Sequence, residues 1–356
     1  MEKYFEKYED SKGIRHDQYN QLLDYLDDLS LKADTIRHSY FSPDYESPEK
    51  YAESLEKYRI DLKKTIGFPP PAEDIQTDVK EVFVGEDDLC YIYRLFIKIA
   101  KGIECYGIYM VPKASRAKMP LVLSFHGGAN CPELICNFGG EENNHHDASR
   151  RFVAEGYIVF SPLFIYNCMA VENDTIIPVN VRDSMDQYTK WLGTSLPAVE
   201  LFKVSKALDY LLTRPEVDEN EIGVVGLSYG GFYALMISAI DARIKFCISS
   251  CYFNDRKLIR EKYPAGFWDW YWYDSLAKFT DVELAGMICP RLLIIEVGTR
   301  DELFPVEGAS SQAIPAAEYY KKLKIGDRFK YIEFDGVHEF NLIEAMSYIK
   351  EQTRHF

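Results

Sequence analysis

Over the first 67 residues, apolar side chains recur every three or four positions. The pattern runs through "YNQLLDYLDDLSLKADTIRHSYF" and again through "SPEKYAESLEKYRIDLKKTIG", and that period is helical. Ser47, Pro48 and Glu49 open the second stretch as an N-cap, a first helical position and an acidic first turn. "GFPPPAED" stops it, because consecutive prolines cannot continue a helix. The pattern predicts an N-terminal helical extension over residues 1–71 and a second domain over 72–356. That domain opens with "DVKEVFVG", "LCYIYRLFIKIA" and "IECYGIYMV", β-rich runs between turn signals, which read as antiparallel.

From residue 120 the period changes again. Short apolar strands ("PLVLSFHGG", "YIVFSPL", "IGVVGLS", "KFCISSC", "RLLIIEVG" and "FKYIEFDG") alternate with helical patterns near 146–155, 196–214, 230–241, 311–323 and 339–351. Such alternation predicts an α/β fold, a mostly parallel central sheet covered by helices on both faces. Stretches near 164–195 and 254–288 fall outside it and read as cap-like insertions.

Composition narrows the classes. A net charge of −15 in 356 residues argues against a nucleic-acid surface, which needs clustered Lys and Arg. No run approaches the length of a membrane span, and "MEKYFEKYED" has no apolar signal core, so a cytoplasmic protein with no membrane partner is expected. The eight cysteines show neither C-x-x-C pairs nor zinc-finger spacing, so no metal site is expected.

The chemistry centres on "EIGVVGLSYGGFYAL", residues 221–235, where four glycines surround Ser228 between a strand and a helix. Gly-x-Ser-x-Gly at that junction is a nucleophile elbow, with Ser228 raised over the carboxyl end of the sheet. Gly226 and Gly230 leave room for the turn, and Gly231 lets the helix approach the strand. A phosphate cradle would need Gly-x-Gly-x-x-Gly or Gly-x-x-x-x-Gly-Lys, and neither is present.

Of the seven histidines, His16 and His38 lie in the helical extension and His355 beside the C-terminus. His145 and His146 precede a helix, and His126 ends a strand. His338, in "IEFDGVHEF", follows the last strand and is the expected base. Its acid should lie on a strand-end loop after Ser228. Asp301 in "LLIIEVGTRDELFP" is the choice, with Glu296, inside the strand, and Asp255, one strand earlier, as alternatives. "LVLSFHGGAN" offers backbone donors for an oxyanion, Gly128 first and Gly127 second, together with the N–H of Tyr229.

With these elements in order, residues from about 72 to 352 resemble the α/β-hydrolase superfamily, and within it the dienelactone hydrolase and acetyl xylan esterase-like branch. The carrying residues are "HGG" at 126–128, "GLSYGG" at 226–231, "GTRDELFP" at 298–305 and "GVH" at 336–338. The resemblance implies Ser228 as nucleophile, Asp301 as acid and His338 as base. It implies a serine carboxylester hydrolase that works through an acyl-enzyme without a cofactor, on a small-molecule ester with a short acyl group such as an acetylated sugar. "VDENEIGVVGLSYGGFYAL" also looks like prolyl oligopeptidase-type serine peptidases, although the residues before the domain are far too few for their propeller. A serine peptidase acting on short peptides is the first alternative, and a non-catalytic binding protein of the same fold is the second.

Substrate preference should come from the insertions. "YPAGFWDWYWYDSL", 263–276, holds Trp268, Trp270 and Trp272, which either line a pocket or pack an inserted cap. The loop 164–195 is a second candidate wall. The helical extension is open between a lid and a dimer contact, so a homo-oligomer is kept in view.

Overall fold

The computed structural model describes residues 1–73, 75, 78–113, 116–164, 179–264 and 268–353. They form two compact units, one of residues 1–42 with 274–279 and one of residues 43–273 with 280–356. The expected division at residue 71 and this one do not coincide. The helices Pro48–Ser54 and Glu56–Ile66 belong to the larger unit. So do most residues of the expected 254–288 insertion, whose residues 274–279 group with the N-terminus instead.

The smaller unit is built on one helix, Lys12–Tyr40, preceded by a 3-10 turn at Tyr8–Ser11. Its C-terminal third packs on the short helix Ser275–Lys278. Arg37 donates to the carbonyl of Leu276, Tyr40 meets Phe279 edge-to-face at 5.6 Å, and Ala33 is buried.

Among the described residues the larger unit holds nine strands: β1 (Val79–Glu86), β2 (Cys90–Ala100), β3 (Ile103–Pro112), β4 (Met119–Phe125), β5 (Ile158–Pro162), β6 (Val217–Leu227), β7 (Phe246–Ser250), β8 (Leu292–Gly298) and β9 (Phe329–Phe334). They make one sheet in the order β1-β2-β3-β5-β4-β6-β7-β8-β9. The β1, β2, β3 and β5 neighbours pair antiparallel, and every pair from β5 through β9 is parallel. Thus the antiparallel opening and the parallel body expected from the pattern are both present.

Every residue of β4, β5, β7 and β8 is buried. Strands covered on both faces carry no alternation, which is why they read as unbroken apolar runs. The helix Tyr229–Ile240 is likewise buried at every position, and its composition is apolar all round. Ser47 caps Pro48–Ser54 by accepting from the Lys50 N–H at 3.2 Å, and Gly67 (φ 74°) ends Glu56–Ile66 before the prolines. No helix among the described residues is long and apolar enough to cross a membrane.

Candidate active site

Ser228 joins β6 to the helix Tyr229–Ile240 with φ 57° and ψ −118°. A side chain rarely adopts that conformation, and holding it takes packing from all sides. The packing comes from glycines. A Cβ on Gly226 would lie 2.0 Å from the Gly230 carbonyl oxygen, and one on Gly230 would lie 2.3 Å from that of Phe125. The Ser228 N–H donates to the Ser250 carbonyl of β7 at 2.8 Å, fixing the turn to the neighbouring strand. The Ser228 side chain is largely enclosed.

Asp301 lies in the turn after β8 and His338 in the loop after β9. His338 Nδ1 and Asp301 Oδ2 are 2.8 Å apart. The other Asp301 oxygen accepts from the N–H groups of Leu303 and Phe304 at 2.8 and 3.0 Å. Burial pushes this carboxyl upward, but His338 and the two N–H groups outweigh it and hold it below the usual carboxylate range. Phe304 stacks on the His338 ring at 5.6 Å between centroids and restrains its plane.

The two alternative acids are engaged elsewhere. Glu296 is buried on β8, accepts from Ser250 Oγ at 2.8 Å, and receives the N–H groups of Asn341 and Leu342. Burial keeps its carboxyl above the usual range against those donors. It therefore anchors the chain just beyond His338. Asp255 caps the helix Arg256–Lys262 through the Lys257 N–H at 2.8 Å.

Cys251 follows β7, the strand between those that lead to Ser228 and Asp301. Its N–H donates to the Glu296 carbonyl, and its thiol points to the carbonyls of Glu339 at 3.4 Å and Val337 at 3.8 Å. Cys251, Asp301 and His338 each offer a ligand atom within 4.8 Å of the others, the one such cluster among the described residues. The donor set suits hydrogen bonding better than a cation, since burial pushes the thiol well above its ordinary pKa and the imidazole and carboxylate already satisfy each other.

His126, Gly127 and Gly128 follow β4 on the other side of the serine. A Cβ on Gly127 would lie 3.7 Å from Ser228 Cβ, and one on Gly128 3.0 Å from the Tyr229 ring. Two histidines hold Gly127, one on each of the two peptide units that flank it. His126 Nε2 accepts the Phe164 N–H at 3.1 Å, so its proton sits on Nδ1 and is donated to the Gly127 carbonyl at 2.8 Å. His145 Nε2 accepts the Gly127 N–H at 3.4 Å, leaving its Nδ1–H for Asn143 Oδ1 at 3.1 Å. Burial lowers His126 to about 4 and His145 to about 3, so both are neutral at pH 7. The Gly127 N–H, expected as the second oxyanion donor, is thus turned to His145. The Gly128 N–H has no hydrogen-bond partner among the described residues. No motif signalled His145, which the sequence shows only as a histidine ahead of a helix.

Trp270 and Trp272 are buried rather than lining an open groove. Trp270 packs against Tyr229 at 4.7 Å, Tyr252 at 5.1 Å and Phe304 at 5.7 Å. Trp272 lies under the Arg256 guanidinium at 4.4 Å. This is the cap-packing alternative, although Trp270 reaches the site through Tyr229 and Phe304. Trp268 opens a short 3-10 turn, Trp268–Trp270, and its side chain lies outside the described residues. The first part of the expected wall at 164–195, residues 165–178, also lies outside them, and its remainder includes the helix Val179–Trp191.

Comparison with known proteins bears on the family and the fold. Residues 134–253 match the model of the dienelactone hydrolase family. The Bacillus subtilis (strain 168) protein YtaP is 38% identical over 118 residues, 33% of this chain and 40% of that protein. Among solved structures, the BF1801 protein of Bacteroides fragilis NCTC 9343 superimposes with a TM-score of 0.65 at 14% identity, over 82% of this chain and 79% of that one. A glucuronoyl esterase from Solibacter usitatus gives 0.58 at 15%, over 84% and 91%. Acetyl xylan esterase 1 from Thermoanaerobacterium sp. JW/SL YS485 gives 0.55 at 18%, over 84% and 93%. The chain has the α/β-hydrolase fold, and by its motifs and the match over 134–253 it resembles the dienelactone hydrolase and acetyl xylan esterase-like branch of that superfamily.

Proposed function

We propose that the protein is a serine carboxylester hydrolase, with Ser228 as nucleophile, His338 as general base and Asp301 as the acid that orients it. The observation that carries the reading is the strained Ser228 at the end of β6 together with the 2.8 Å His338–Asp301 bond two and three strands away. In the first step Ser228 Oγ attacks the ester carbonyl and its proton passes to His338 Nε2. The N–H groups of Tyr229 and Gly128 receive the oxyanion, each donor being worth roughly 3 kcal/mol. The C–O bond of the leaving alcohol breaks, and His338 returns the proton to that oxygen. Water, deprotonated by the same imidazole, then attacks the acyl-enzyme, releases the acid and restores the serine.

Short-acyl esters, acetylated sugars among them, are the proposed substrates. The resemblance to the acetyl xylan esterase-like branch supports this. So does the ring cluster of Trp270 with Tyr229, the residue after Ser228, and with Phe304, which stacks on His338, since it sets bulky side chains beside the proposed triad.

The test is kcat/KM for p-nitrophenyl esters from acetyl to octanoyl, with Ser228→Ala as control. The expected result is a steep fall beyond propionyl and a loss of about 10⁴-fold or more in the variant. Comparable rates on aminoacyl amides would move the assignment to a peptidase. No turnover and no labelling of Ser228 by a fluorophosphonate would leave a binding protein.

A further inference from the structure

The helix Lys12–Tyr40 carries a regular row of apolar residues. Tyr19, Leu22, Leu26, Leu29, Ala33, Ile36 and Tyr40 follow one another at alternating spacings of three and four, the a and d positions of a heptad repeat. The C-terminal end of this seam is occupied within its own unit, where Ala33 is buried and Arg37 and Tyr40 engage Leu276 and Phe279. Its N-terminal half is bare. Tyr19, Leu22, Leu26 and Leu29, with Leu23 beside them, are each 41% to 59% exposed.

We infer that this half of the helix is a self-association surface, on which a second copy of the chain packs its own helix head to tail. Area is the first argument. The five side chains offer roughly 500 Å² in one contiguous stripe, at the upper end of what a monomer leaves to water. Two such faces cover about 1,000 Å² between them, the floor for a specific interface, before flanking residues are added.

Charge is the second argument, and it chooses both the partner and its direction. Residues 12–16 hold Lys12, Arg15 and His16 and no acid, whereas 17–31 hold Asp17, Asp24, Asp27 and Asp28 and no base. A basic first turn opposes the helix dipole, so the isolated helix begins poorly. Parallel copies would stack base on base and acid on acid. Antiparallel copies in the register that sets Leu22 against Leu26 and Tyr19 against Leu29 bring Arg15 within one residue of the level of Asp34 of the second copy, and Lys32 within one residue of Asp17. Opposite charges then lie level at both ends of the stripe, and Asp24 alone meets its own copy at the centre, without shifting the apolar layers.

Sedimentation equilibrium of the full chain, from about 1 to 100 µM, tests this. The expected result is a dimer whose dissociation constant rises at least 100-fold in Leu26→Asp, with circular dichroism and ester turnover unchanged. Leu22→Gln, a milder exposed change, should weaken it in the same direction. Arg15→Glu should also loosen the dimer, and adding Asp34→Lys should restore it. A monomeric wild type, or a Leu26→Asp variant that dimerises as tightly as wild type, overturns the surface. Absence of rescue by the charge swap overturns the head-to-tail register. If the wild type is a monomer and Leu26→Asp alters KM, the stripe covers the chain's own catalytic unit instead.

Discussion

At the scale of single residues, the site depends on groups that carry no charge. His126 and His145 hold, as neutral imidazoles, the two peptide units that flank Gly127: His126 donates to the Gly127 carbonyl, in the same unit as the Gly128 N–H, and His145 accepts the Gly127 N–H of the unit before it. Because the amide is planar, the bond to the Gly127 carbonyl sets the direction of the Gly128 N–H, and the bond to the Gly127 N–H restrains the unit before it. Removing the His145 acceptor frees the unit before Gly127 and should thereby loosen the one after it, which carries the Gly128 N–H. His145→Ala is expected to lower kcat about tenfold, a fraction of what a whole oxyanion donor is worth, with KM little changed. His145→Gln keeps an acceptor of similar reach and should recover most of the loss. Steady-state kinetics on p-nitrophenyl acetate separates the two cases, since equal defects in both variants would mean that only the ring's packing mattered. Glu296 works in the same manner on the other side, pinning Asn341 and Leu342 three and four residues beyond His338.

At the scale of elements, the sequence was legible where burial is uniform. β4, β7 and β8 are buried on both faces and appear as apolar runs, and the Gly-x-Ser-x-Gly junction lies between such a run and an apolar helix. That is enough to locate Ser228, and the strand ends that follow lead to Asp301 and His338. Glu296 and Asp301 could be ranked because a residue inside a fully buried strand faces protein, whereas one in the turn beyond can reach a loop on the next strand. Short elements were not legible. Residues 256–288 break into the helices Arg256–Lys262, Ser275–Lys278 and Asp281–Ile288 with a 3-10 turn, each too short for a period to emerge. The role of His145 was hidden for another reason, because it arises from a contact across 18 residues that no local pattern encodes.

For the whole molecule, the two buried histidines tie stability to pH. Each stays neutral in the folded chain down to about pH 4 for His126 and about pH 3 for His145, whereas an unfolded histidine titrates near 6.5. In that interval the unfolded chain binds more protons, so stability is complete above pH 6.5 and is lost as acid is added, at up to ~1.4 kcal/mol per pH unit for each histidine. Urea midpoints measured from pH 7.5 to 4.5 should therefore fall steadily below pH 6.5, and His145→Gln should flatten the slope. A midpoint independent of pH over that range would contradict it. The conformation of Ser228 bears on the same global quantity. A backbone angle that side chains avoid costs roughly 1–3 kcal/mol, and a glycine there would be relieved of it. Ser228→Gly should then have a higher urea midpoint than Ser228→Ala, which keeps the Cβ and so the strain; equal midpoints would deny the strain. The proposed nucleophile is thus a debt the rest of the fold carries, and selection for stability alone would erase the residue on which the proposed chemistry turns.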